Sequence, residues 1–116
     1  MVEGIDTVFC QVEDMDRATT FYRDALGLEL GYASPYWTSF KTGSTTLALH
    51  HRMNESPFGS KSNFLAILSV ADLLAAQTKL KEAGVWCADE FHDVPGGKIC
   101  DFRDTEGNAL QLIQRF

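Results

Sequence analysis

The chain has 116 residues, 45% of them hydrophobic, the size of one ordinary domain and enough to bury a core. Ten basic against sixteen acidic residues give a formal charge of −6, which repels phosphate backbones, excludes a nucleic-acid role and favours cationic over anionic small molecules. No apolar run approaches the roughly 20 residues that span a bilayer, and acidic Glu3 and Asp6 stand where a secretory signal would be basic, so a cytoplasmic protein with no membrane partner is expected.

Ile5 to Val12 alternates as a strand, with Val8, Cys10 and Val12 on one face and Thr7, Phe9 and Gln11 on the other. Asp14 is placed as a helix N-cap. Ala18, Phe21, Tyr22, Ala25 and Leu26 recur at helical spacing and Gly27 follows as a stop, which predicts a helix from about Met15 to Leu26. Strands are expected near 28–32, 36–41 and 45–51, broken by Ser34-Pro35 and Thr42-Gly43.

A polar stretch with Pro57 and Gly59, about 53–62, reads as a connector, and then the pattern restarts. A strand is expected over 64–70 and a cap at Asp72. Leu73, Ala76, Leu80 and Ala83 form an apolar helical stripe that Gly84 ends. Strands near 85–91, 98–103 and 108–114 are separated by Val94-Pro95-Gly96-Gly97 and by the Asp104-Thr105-Glu106-Gly107 turn.

The two halves repeat. Val12, Asp14 and Ala18 map onto Val70, Asp72 and Ala76 at an offset of 58, and Gly27 maps onto Gly84 after one deletion. Laying Leu47-Ala48-Leu49 on Leu110-Gln111-Leu112 sets Ala48 against Gln111. The expected fold is therefore α+β, a single domain over 1–116, built from two tandem βαβββ repeats (about 4–52 and 63–116). Their sheets would curl around a central cavity, with a helix on each outer face.

Val12-Glu13-Asp14, Phe21-Tyr22-Arg23-Asp24-Ala25-Leu26-Gly27-Leu28, Ala83-Gly84-Val85 and Asp104-Thr105-Glu106-Gly107-Asn108 with Leu110-Gln111-Leu112 cover nearly the whole chain. Together they resemble the glyoxalase, bleomycin-resistance and extradiol-dioxygenase superfamily, the vicinal oxygen chelate proteins. The resemblance implies that fold and leaves function open among metal-dependent isomerases, dioxygenases, thiol transferases and metal-free antibiotic-sequestering proteins. Metal-binding members draw His, Glu or Gln from four strand positions, which here hold Thr7, Ala48, Leu65 and Gln111. Only Gln111 is a usual ligand, whereas a catalytic divalent ion typically needs about three protein donors. No metal and no cofactor are expected.

Adjacent His50 and His51 point to opposite faces of a strand and cannot share one ion. His50 has the parity of Ala48 and faces the expected cavity, either as a ligand contact or as a hydrogen-bonded residue near a strand end. Gln111 is either a polar contact in a pocket or an amide met by a neighbouring strand or water. Phe9, Trp37 and Ile113 share that side, either as core or as the apolar walls of a pocket. The ligand-binding candidates are thus Phe9, Trp37, His50, Gln111 and Ile113. Tyr32, Tyr36, Trp37 and Phe40 load one segment with aromatic rings, and Phe58 of the connector either covers the opening or anchors the loop. His92 reads as a solvated loop residue, and Asp101 and Arg103 as solvent-facing or ion-paired. The three scattered cysteines, Cys10, Cys87 and Cys100, read as buried reduced thiols.

No nucleophile with its base and no phosphate-cradling glycine loop is present, and no catalytic residue is assigned. The sequence favours a metal-free protein that sequesters a small aromatic, cationic compound over an enzyme. The alternative is a metal-dependent lyase, isomerase or dioxygenase with a displaced ligand set. By analogy with the family, and from the wealth of apolar strand residues, a homodimer is expected.

Overall fold

The computed structural model describes residues 3, 5–52 and 65–116, which fall into two compact units, 1–60 and 61–116. The expected strand start at Phe64, the connector and Phe58 lie outside the described residues.

In the first unit the alternating segment forms β1 (Thr7–Val12). Asp14 then caps α1 (Met15–Thr20), its carboxylate accepting the Arg17 amide at 3.0 Å. The predicted helix does not continue in α form to Leu26. It widens into a π-helical turn over Phe21–Ala25, in which the Leu26 amide bonds to the Phe21 carbonyl at 3.2 Å. Phe21 and Tyr22, neighbours in sequence, are both buried there and meet edge to face at 5.2 Å. Strands β2 (Glu29–Ala33), β3 (Trp37–Thr42) and β4 (Thr45–His51) complete a sheet of order β1-β4-β3-β2, with β1 parallel to β4.

The second unit repeats that order. β5 (Ile67–Ser69), α2 (Leu73–Glu82), β6 (His92–Val94), β7 (Gly97–Arg103) and β8 (Ala109–Arg115) form the sheet β5-β8-β7-β6, with β5 parallel to β8. Both βαβββ units of the α+β fold are therefore present. The registers are equivalent as well: Phe9 lies opposite Ala48, and Ile67 opposite Gln111.

In each unit one face of the sheet carries the helix and the core. Val12, Ala18, Tyr22, Phe40, Leu47 and Leu49 are buried in the first, and Leu73, Leu80, Cys100, Phe102, Leu110 and Leu112 in the second. Tyr22 stacks on Phe40 at 5.9 Å between ring centres, so one of the four clustered aromatics belongs to the core, while Tyr32 and Tyr36 are exposed.

The main departure from expectation is the segment 85–91, which is not a strand. It touches β7 through one bridge, Cys87 to Phe102, and two flanking hydrogen bonds, Ala88 N–H to Asp101 O at 2.9 Å and Arg103 N–H to Trp86 O at 3.1 Å. Its later carbonyls are taken by a side chain instead: buried Gln77 of α2 donates its amide to Ala88 O at 2.7 Å and Asp89 O at 3.1 Å. The strand starts only at His92, which pairs with Ile99 rather than standing in a loop. Gln77 also replaces an apolar contact in the helical stripe, since Ala83 is the exposed C-cap and Gly84 follows at φ 79°.

The turn before β8 explains the motif that marks it. The buried Asp104 carboxylate accepts from the Glu106 amide at 2.9 Å, the Asn108 amide at 2.8 Å and the Asn108 side-chain amide at 2.8 Å. Gly107 supplies φ 80°, a backbone conformation other residues adopt at a cost.

Candidate functional site

The candidate residues occupy the faces of the two sheets that carry no helix. In the first unit, β4 lies between β1 and β3, and strands two apart in a sheet are separated by roughly 9.5 Å. Phe9 of β1 and Trp37 of β3 nevertheless meet at 5.7 Å between ring centres, because the strand between them offers only the methyl group of fully buried Ala48 beside Phe9. His50, directly opposite Trp37, closes a three-ring cluster at 6.0 Å from Trp37 and 5.8 Å from Phe9. Phe9 keeps 38% of its surface exposed. Its ring therefore offers apolar area, and the π-faces of the cluster suit a cation.

His50 Nδ1 lies 2.8 Å from the His51 carbonyl oxygen. A carbonyl only accepts, so Nδ1 carries the proton and Nε2 is the acceptor in the neutral ring. His51 turns to the other face, its ring 6.5 Å from that of Tyr36. The two histidines are divided by strand alternation, as the sequence requires.

In the second unit, Gln111 is half-buried and donates its side-chain amide to Asp101 Oδ1 across the β7–β8 pair at 2.8 Å. The amide is thus met by a neighbouring strand, and Asp101 is engaged rather than merely solvent-facing. Ile113, two residues on, keeps only 6% exposure, whereas Ile67, opposite Gln111, keeps 52%. Sequence reasoning missed Asp101 and Ile67. Counting outward from the Asp104–Asn108 turn would have set residue 101 against residue 111. Among the described residues Arg103 forms no ion pair: its guanidinium lies 5.2 Å above the exposed Trp86 ring and donates to Gly107 O at 3.4 Å.

The four strand positions implied for a metal do not fit one. Ala48 and Leu65 carry no donor atom and the Thr7 hydroxyl is given to Asp6 at 2.7 Å, which leaves only Gln111 Oε1 where a catalytic divalent ion typically needs about three protein donors. Among the described residues, no three His, Cys, Asp or Glu side chains gather as a metal cluster. The cysteines are free thiols, with Cys87 and Cys100 buried and their sulfurs 3.4 Å apart. Burial, then the contact with Cys87, pushes the Cys100 thiol up to about 12, the setting of an inert rather than a nucleophilic sulfur. Among the described residues no helix is long and apolar enough to cross a membrane.

Solved structures place this architecture among known folds. The chain is similar to TnmS3, an antibiotic binding protein from Streptomyces sp. CB03234, at 27% identity over 99% of this chain and 98% of that one, with a TM-score of 0.80. It is also similar to lactoylglutathione lyase from Agrobacterium tumefaciens, at 22% identity over 98% and 95%, with a TM-score of 0.77. A glyoxylase/bleomycin resistance protein/dioxygenase domain from Frankia sp. EAN1pec aligns over the full length of both chains at 19% identity, with a TM-score of 0.73. No curated protein sequence matches. The model of the Glyoxalase/Bleomycin resistance protein/Dioxygenase superfamily matches residues 4–112, nearly the whole chain, which therefore belongs to that superfamily.

Proposed function

We propose that this protein binds a small aromatic, cationic compound and holds it without a metal, as a sequestering protein rather than an enzyme. The observation that carries the proposal is the Phe9, Trp37 and His50 cluster, three rings within 6.0 Å of one another on a sheet face with no helix over it. An aromatic ligand that buries about 200 Å² of apolar area gains roughly 5 kcal/mol gross at about 25 cal/mol/Å², from which ordering costs are subtracted. Net affinity then depends on a few polar contacts, for which His50 is the candidate in the first unit; on the second unit's own sheet, Gln111 and Ile113 are the candidate polar contact and apolar wall. The likeness to TnmS3, an antibiotic binding protein, supports this class of function. The ligand set of a metal-dependent lyase or dioxygenase has only Gln111 to stand on.

Titration of the purified protein with a panel of aromatic cations, followed by the fluorescence of Trp37 and Trp86 and accompanied by elemental analysis, tests the proposal. Saturable quenching with no stoichiometric divalent metal is expected. About one metal per chain, with turnover abolished by a chelator, would overturn it in favour of an enzyme.

A further inference from the structure

The Gln111–Asp101 contact fixes more than the position of two side chains. A carboxylate only accepts hydrogen bonds, so the Gln111 group 2.8 Å from Asp101 Oδ1 must be the NH2, and its carbonyl Oε1 points away from the carboxylate. The two outer atoms of the pair are then Gln111 Oε1 and Asp101 Oδ2. Both are acceptors, one carries charge, and among the described residues neither has a hydrogen-bond partner. No Lys or Arg in the unit forms an ion pair with Asp101 among the described residues: Arg103 is committed to Trp86 and Gly107, and Lys81 to Asp89. The surroundings are apolar, with Ile67 opposite Gln111 at 52% exposure and Ile113 adjacent on the same strand face.

The fold does not require this pair. The equivalent cross-strand partners in the first unit are Ser39 and Ala48, and the same sheet order and register form around them. A negatively charged pair whose outer oxygens both accept, beside the exposed side chain of Ile67, suits a protonated nitrogen on an otherwise apolar molecule.

We infer that Asp101, oriented by Gln111, is the specificity determinant for an organic cation with N–H donors, such as an amidinium or a protonated amine. The inference deepens the binding role proposed above and rests on it. Asp101 gives the charge preference a local origin, where the net charge of −6 gives only a diffuse one.

The test uses 2-naphthamidine and its neutral isostere 2-naphthamide as probes, titrated calorimetrically into wild type and Asp101→Asn. The wild type should prefer the amidine, and Asp101→Asn should weaken it about tenfold, the scale of one lost charge-assisted hydrogen bond, while leaving the amide within about twofold. Should Asp101→Asn fail to fold, Asp101→Ser must give the same split. Wild type and variant binding both probes alike overturns the role of Asp101 and leaves the binding function standing. Wild type binding neither probe overturns the binding function and this inference together.

Discussion

The two units share their helix-bearing faces and differ on the other. Residue by residue, Phe40 corresponds to Phe102, Leu49 to Leu112 and Leu47 to Leu110, and all six are buried. On the opposite face the same register sets Phe9 against Ile67, Ala48 against Gln111, Ser39 against Asp101, Trp37 against Ile99 and His50 against Ile113. Packing on a helix holds the first set to apolar residues of similar volume. The second set is not matched in this way: one unit presents a ring cluster and the other a polar pair.

Equivalence of the helix faces gives the largest expected effects. Phe40→Ala and Phe102→Ala should each cost about 3–5 kcal/mol in urea unfolding, as buried phenylalanine truncations do. Costs differing more than about twofold would break the equivalence, because one unit would then dominate the core. The turns before the last strands should differ instead. Asp104→Ala removes an acceptor of three hydrogen bonds and should cost about 2–3 kcal/mol, whereas Ser44→Ala, in the tight Gly43-Ser44 turn of the first unit, should stay within about 0.5 kcal/mol.

On the open faces the effect should move from stability to binding. Phe9→Ala or Trp37→Ala should weaken, about tenfold, the aromatic cation that the wild type binds most tightly, as loss of an aromatic anchor does. Both variants should keep a wild-type far-ultraviolet spectrum. Undiminished affinity in both variants would detach the ring cluster from binding.

Much of this pattern was legible in the sequence because it rests on local rules. Asp14 and Asp72 cap helices, Gly27 and Gly84 end them with positive φ, and alternation assigns Phe9, Trp37 and His50 to one face. What failed needed tertiary information. Val85 to Phe91 has strand-like composition, but the Gln77 side chain takes carbonyls that a strand would need, and a glutamine in a helical stripe gives no sign of its target. The π-helical turn at Phe21–Ala25 preserves an apolar pattern that fits an α-helix equally well. Asp101 reads from the sequence as solvent-facing or ion-paired because its partner lies ten residues away across a turn, and only the β7–β8 register brings them together.

The subtlest expected difference lies on the helix faces themselves, where Cys100 and Thr38 occupy equivalent buried positions. The Thr38 hydroxyl does not titrate, but the Cys100 thiol does. Burial, followed by the contact with Cys87, raises it in the folded protein to about 12 from an ordinary value of 9.0. Above pH 9 the unfolded chain therefore releases a proton that the folded chain keeps, so the unfolded state binds fewer protons and stability falls as pH rises. The contribution is fully present below pH 9 and fades on the way to 12. By pH 10 it should have cost on the order of 1 kcal/mol, the scale of one pKa unit. Urea unfolding under reducing conditions, at intervals from pH 7 to 10, should show the wild type losing that much more than Cys100→Ala, while Thr38→Ala runs parallel to the wild type. Parallel profiles for wild type and Cys100→Ala would mean that the thiol ionises as readily in the folded core as outside it, and the two buried positions would then be alike in charge behaviour as well as in place.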